Sequence, residues 1–259
     1  VLSRLTRHQV LALCVLPVVA LFAVAGFAPL PFSVAKPGMT ADVLGKNRGT
    51  PVITVSGAPT RKTSGQLRMT TIVATGPETR VSLGEVIGAW FDTDRAVMPR
   101  DAVYPSGDDP QEIERYNTEQ MKESQDDAVS AALGYLELDP GDVDVELKLA
   151  DVGGPSAGLL FSLGIVDKLG GGDLTGGRTV AGTGTITPGG EVGAVGGVPL
   201  KTQAARRDGA TVFLVPKAEC SDAATELPKG LRLVPVTTLK GAVDALRALA
   251  GGKGEVPHC

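Results

Sequence analysis

The chain has 259 residues, 29 of them acidic and 25 basic, with 42% apolar residues, a length and composition that suit a folded domain with a substantial buried core. The slightly acidic balance, with no run of Lys and Arg interleaved with aromatics, argues against nucleic acid as a partner. Only two histidines are present, His8 and His258, near opposite ends. That placement excludes a Ser-His-Asp triad, a Cys-His pair or a histidine-ligated zinc centre in the middle of a fold.

Val10 to Phe27 are 18 consecutive residues without a charged or strongly polar side chain, preceded by Arg4 and Arg7. That is long enough to cross a bilayer core, and the positive side stays in the cytoplasm. Everything after about Lys36 is then expected outside the cytoplasm. A cleaved signal peptide is the competing reading, because Ala23 and Ala25 stand at small-residue positions that suit a signal peptidase. Pro29 and Pro31 end the helix, and Lys36-Pro37-Gly38 reads as part of a linker.

Two β-rich stretches follow, Pro51 to Val55 and Leu67 to Thr75, and a Gly57-Ala58-Pro59 turn between them predicts a hairpin-like start. Leu83 to Phe91 is a short amphipathic segment, followed by an irregular stretch containing Pro99 and Pro105. From Asp109-Pro110 to about Leu133, Ile113, Tyr116, Met121, Val129 and Leu133 recur at near-helical spacing between acidic residues, which predicts a helix with an acidic outer face packed on the core. Val143, Val145, Leu147 and Leu149 alternate with polar residues, as in a half-buried strand.

That strand leads into Gly154-Pro155-Ser156-Ala157-Gly158, where Pro155 suits a first helical turn, and Leu159 to Leu169 is apolar nearly all round. A glycine-dense loop closes it from Gly170 to Gly177. A strand around Arg178 to Thr187, a return stretch from Glu191 to Val195, a helix that carries Lys201 and ends near Gly209, strands at Thr211 to Val215 and Leu231 to Val236, and a helix from Leu239 to Leu249 complete the pattern. Strands alternating with helices predict an α/β or α+β domain.

Without a histidine, a serine nucleophile needs another base, and a lysine amine is the commonest substitute. The amine must be neutral, so its pKa has to fall from about 10.4 to about 7–8 through burial or cationic neighbours. Lys201 stands among Val198, Pro199, Leu200, Ala204 and Ala205 at the start of a helix, a setting that disfavours its charged form. Ser156 lies where a strand turns into a helix, among small neighbours that leave room for a substrate backbone. Backbone N–H groups at such a turn, around Gly154, Ser156 and Ala157, can form an oxyanion hole. Taken singly, a helix-capping serine and a solvated lysine are the ordinary readings of these positions.

Taken together, Gly154-Pro155-Ser156-Ala157-Gly158, Thr183-Gly184-Thr185-Ile186-Thr187, Gly196-Gly197-Val198-Pro199-Leu200-Lys201 and Gly209-Ala210-Thr211-Val212-Phe213-Leu214-Val215-Pro216 resemble the core of the Lon-type protease domain in order and separation. The resemblance implies an α+β Lon proteolytic fold, Ser156 as nucleophile, Lys201 as general base, Thr183 as the hydroxyl that orients the lysine, and peptide-bond hydrolysis through an acyl-enzyme. It is nearest to exported, membrane-anchored bacterial relatives, but no space for their PDZ domain lies between Leu133 and Val143. No Gly-x-x-x-x-Gly-Lys-Ser/Thr loop occurs, so ATP-driven unfolding is not expected, and a serine–lysine chemistry requires neither nucleotide nor metal as a cofactor. Thr185 stands where the family usually has glutamate. Gly153 replaces the acidic residue that often precedes Gly-Pro-Ser, with Asp151 two residues earlier.

The expected organisation is a cytoplasmic N-terminus (1–9), an anchor or signal peptide (10–30), a linker (31–50), a β-rich and helical part (51–138), the proteolytic core (139–250) and a C-terminal tail (251–259). Polypeptide substrates and the membrane are the expected partners, and homo-oligomers, hexamers among them, come with the resemblance alone. A non-catalytic peptide-binding or scaffold protein and a small-molecule esterase or amidase are the rival readings. Cys14 lies in the apolar span, whereas Cys220 and Cys259 would both be exported, where an oxidising compartment invites them to pair. A bridge closing a loop near forty residues adds about 4 kcal/mol in the chain-entropy model, and two unrelated thiols are the alternative.

Overall fold

The computed structural model describes residues 6–149, 152–251 and 253–259. Helix α1 (Arg7–Phe27) opens on a reciprocal cap in which Thr6 and Gln9 satisfy each other's backbone N–H groups. Its apolar side chains, Leu11, Leu16 and Phe22 among them, are exposed along its length. It is long and apolar enough to cross a membrane by length and composition, and equally fits a signal sequence.

The elements that follow are β1 (Phe32–Asp42), β2 (Lys46–Asn47), β3 (Thr50–Pro51), β4 (Ile53–Ser56), β5 (Gln66–Ala74), α2 (Leu83–Trp90), β6 (Ala96–Pro99), α3 (Arg100–Val103), α4 (Pro110–Leu136) and β7 (Asp144–Leu147). Then come α5 (Gly158–Leu169), β8 (Thr179–Gly182), β9 (Thr185–Ile186), β10 (Val192–Gly193), α6 (Val198–Arg207), β11 (Val212–Pro216), α7 (Cys220–Ala224), β12 (Arg232–Val236) and α8 (Leu239–Leu249). Six strands form one mixed sheet in the order β12-β11-β8-β5-β1-β6. The four strands from β12 to β5 pair in parallel, whereas β1 is antiparallel to both of its neighbours.

Side-chain alternation along β8 and β11 divides the core into two layers. Val180, Val212 and Leu214 face α5 and α8, with α4 packed outside α5, while Ala181, Phe213 and Val215 face α6 and α7. Helix α5 is buried from Gly158 to Asp167, in keeping with its all-round apolar sequence. The result is a mixed α+β fold, as expected, and its sheet runs across position 138/139 without interruption.

Two expectations are corrected. Residues 31–50 are not a linker, because β1 is an interior strand and Val43 and Leu44 enter the core. Pro37 lies past the last β6 pair at Ala35, where the β1–β5 register shifts between Pro37 and Thr40; at such a bulge a missing N–H is tolerated. Nor do Pro51 to Val55 and Leu67 to Thr75 form a hairpin. β5 pairs with β1 and β8, while β4 pairs with β7 from Ile53↔Leu147 to Ser56↔Asp144. Leu67 and Met69 give β5 a fully buried face that belongs inside the large sheet, whereas β4 buries only Ile53, against Gly164 of α5.

Helix α4 reaches Leu136, and its buried stripe is Met121, Ser124, Ala128, Ala131, Ala132 and Leu133, of which the small Ser124, Ala128, Ala131 and Ala132 let it approach α5 closely. Of the apolar residues expected to face the core, Ile113 and Val129 are half-buried and Tyr116 is exposed. The first turns of α4 overhang a cleft instead. The C-terminal tail is held down by Val256, packed on the core, and by a disulfide between Cys220 and Cys259.

Candidate active site

The strand-to-helix turn after β7 carries Ser156, half-buried, at the mouth of α5. Gly154 adopts φ 87°, a left-handed conformation that a side chain would strain, and this swings the chain into the Pro155–Ser156 turn. Helix α4 clamps that turn with two bonds: the Gly154 N–H donates to the Asn117 carbonyl at 3.2 Å, and Ser124 Oγ donates to the Pro155 carbonyl at 2.9 Å. An added Cβ on Gly158 would meet Ile186 Cγ2 at 2.9 Å and Ser124 Oγ at 3.0 Å, so the helix start must be this small.

The break between β8 and β9 supplies the other wall. The Ser156 carbonyl accepts from the Gly184 N–H at 3.0 Å and from Thr183 Oγ1 at 3.3 Å, and the Leu159 N–H donates to the Gly184 carbonyl at 3.2 Å. Thr183 is itself fixed by its N–H, which donates to the Leu214 carbonyl of β11 at 3.1 Å. The Ser156 segment is therefore stitched to Thr183 and Gly184 by three hydrogen bonds.

Lys201 comes from the first turn of α6, which begins at Gly197 in a left-handed conformation with φ 70°. Its side chain is 3% exposed among buried Val198, Leu200, Ala204 and Ala205, and Nζ donates to Thr183 Oγ1 at 3.1 Å. Burial lowers the lysine pKa to about 8, against an upward pull from the Glu219 carboxylate. At neutral pH a working fraction of the amine is thus unprotonated. A single hydroxyl, Thr183 Oγ1, accepts from the lysine and donates to the backbone of Ser156.

Glu219 lies in the short 3-10 turn after β11, where Oε1 accepts from the Val195 N–H at 3.1 Å. Its Oε2 is buried without a hydrogen-bond partner among the described residues. Burial raises its pKa and Asp222 adds to the rise, while Lys201 opposes it. The disulfided Cys220 follows immediately, with a Cα–Cα distance of 5.4 Å to Cys259 across 39 residues.

Of the three backbone positions expected to supply oxyanion donors, Gly154 is corrected: its N–H is committed to Asn117. The Ser156 and Ala157 N–H groups, which precede the first turn of α5, have no acceptor among the described residues. Asp151 lies outside the described residues. Sequence reasoning missed Glu219, Asn117 and Ser124. Each is placed by packing between segments far apart in the chain, and none sits in a local pattern that marks it.

Beside the serine turn opens a cleft of about 680 Å³, walled by Ile113, Asn117 and Met121 of α4, by Leu149, Val152 and Gly153, and by Tyr104. Gly153, on its wall, precedes the serine turn by one residue, but Ser156 and Lys201 do not line it.

Residues 118–246 match the family model of the Lon protease (S16) C-terminal proteolytic domain, a span that contains Ser156, Thr183, Lys201 and Glu219. No curated protein matches the chain.

Proposed function

We propose that the Lon-type proteolytic domain formed by residues 118–246 works as a serine endopeptidase with Ser156 as nucleophile and Lys201 as general base. The protease domain itself implies peptide hydrolysis on polypeptide substrates. One observation carries the assignment of roles: Lys201 is buried with a pKa near 8 and bonded to a hydroxyl that also holds the Ser156 backbone.

In the proposed reaction the neutral Lys201 amine takes the Ser156 Oγ proton as that oxygen attacks the scissile carbonyl. The Ser156 and Ala157 N–H groups receive the developing oxyanion at the helix mouth. Collapse of the tetrahedral intermediate breaks the C–N bond, and the Lys201 ammonium returns its proton to the leaving amine. Water, deprotonated by the same lysine, then attacks the acyl ester and frees Ser156. Glu219 offsets the transient ammonium, and Thr183 keeps Nζ aimed at the serine. On this reading flexible or unfolded chains, which can present an extended backbone, are the substrates.

We further propose that this domain works outside the cytoplasm, tethered by α1 and independent of ATP. The exposed apolar span of α1, the arginine before it, the Cys220–Cys259 bridge and the absence of a phosphate-binding loop from the sequence support it. The test is hydrolysis of an unfolded protein such as reduced casein without nucleotide, by wild type, Ser156→Ala and Lys201→Ala. Loss of activity in both variants with folding intact by circular dichroism is expected. Undiminished hydrolysis by Ser156→Ala would overturn the assignment, and wild-type binding without hydrolysis would turn it toward a peptide-binding protein.

A further inference from the structure

Helix α2 is held to the domain by one face and leaves the other bare. Ala89 is 2% exposed and Val86 half-buried, where the helix packs on β1 and β6. At 100° per residue, Trp90, Leu83, Ile87 and Phe91 fall within an arc of about 100° on the outward side. They are 76%, 37%, 50% and 85% exposed. Gly84 and Gly88 widen that face, and it carries no charge. Glu85 lies on the opposite side, engaged in a reciprocal cap with Ser82. Four large apolar side chains in one stripe, two of them aromatic, are not the scattered single exposures of an ordinary surface.

The position of α2 identifies what the stripe faces. Helix α1 touches α2, and the chain leaving α1 pairs at once with the residue before the α2 cap: the Leu30 N–H donates to the Val81 carbonyl at 2.9 Å. Two residues lie between Phe27 and Leu30, so the three Cα steps span at most about 11 Å of extended chain. If α1 spans a bilayer, Leu30 lies within that distance of the lipid surface, and α2 begins two residues beyond its bridge partner Val81.

Resting on that reading of α1, we propose that α2 is an interfacial helix that seats Leu83, Ile87, Trp90 and Phe91 in the outer headgroup region of the membrane. Tryptophan and amphipathic helices favour this layer. The charges around the helix, Glu78, Glu85, Asp92 and Asp94 against Arg80 and Arg95, balance to an acidic rim. Attraction to anionic lipid is therefore not the driving force, and the contact persists on zwitterionic lipid and in high salt. Anchored at α1 and seated at α2, the domain keeps a fixed attitude to the bilayer instead of swinging on a tether.

Trp90 is the single tryptophan of the chain, so its fluorescence reads this contact directly. The full chain is reconstituted in phosphatidylcholine vesicles, with and without lipids brominated high on the acyl chain, and the vesicles are then extracted with alkaline carbonate to test the span. The expected result is blue-shifted Trp90 emission quenched by the brominated lipid, with the quenching reduced severalfold in Ile87→Ser/Phe91→Ser, which spares Val86 and Ala89. Carbonate-resistant protein with unquenched, water-like Trp90 emission would overturn the proposal while leaving the anchor standing. Extraction together with unquenched emission would overturn both. Blue-shifted emission that lipid bromine does not quench, and that grows with protein density, would overturn it in favour of a second copy of the chain on the stripe.

Discussion

Replacing Lys201 by Met is expected to make the protein more stable while abolishing hydrolysis. The pKa of the buried amine falls from 10.5 to about 8, chiefly because burial disfavours its charged form. A displacement of that size corresponds to about 3 kcal/mol between folded and unfolded states. Below pH 8 both states carry the proton and the penalty is complete. Between pH 8 and 10.5 the folded state sheds the proton while the unfolded chain keeps it, so stability rises with pH, and above 10.5 the penalty is gone. Methionine removes the penalty and fills a similar volume. The lost bond to Thr183 Oγ1 costs about 1 kcal/mol, leaving a net gain of about 2 kcal/mol at pH 7. Urea unfolding in mild detergent, followed by circular dichroism at pH 7 and 9.5, measures this gap, which should shrink by about 2 kcal/mol at the higher pH as wild type recovers. Equal stabilities at both pH values would refute the reasoning, because they would mean that Lys201 is as well solvated folded as unfolded. In parallel, wild-type kcat/KM should rise with pH through an inflection near 8.

Thr183→Val removes the hydroxyl shared by Lys201 and Ser156, and should lower kcat about tenfold to a hundredfold with KM little changed, read by steady-state peptide hydrolysis. Glu219→Gln keeps an acceptor for the Val195 N–H but removes the negative charge that holds the Lys201 pKa up. The kcat/KM inflection should therefore move to lower pH, and an unmoved profile would remove Glu219 from the electrostatics of the site. Arg61→Ala should destabilise the fold by about 3 kcal/mol in urea without altering the Lys201–Thr183 bond, because it leaves the fully buried Asp167 carboxylate, which Arg61 Nη2 pairs at 2.8 Å, without its cation and held only by the Leu174 N–H.

Local chemistry marks the elements whose partners matter least to their form. Helix α1 follows from an uninterrupted apolar run, α5 from one that is apolar all round, and the half-buried β7 from strict alternation. Small residues crowd Ser156 and apolar residues surround Lys201 in the sequence, and the burial of Lys201 follows that local pattern. Other features depend on contacts between distant segments, which periodicity does not encode. Pro37 and Gly38 read as a linker until β5 and β6 flank their strand, and β4 finds β7, from Ile53↔Leu147 to Ser56↔Asp144, instead of its neighbour β5. Likewise Asn117 and Ser124 lie on a helix face that looks merely polar until it meets the serine turn, and Glu219 gains its influence on Lys201 only because β11 and α6 pack side by side. A residue's type and immediate neighbours determine what it can do chemically. Desolvation and distance determine whether it does so, and in this protein both arise where the α6 layer closes over the sheet.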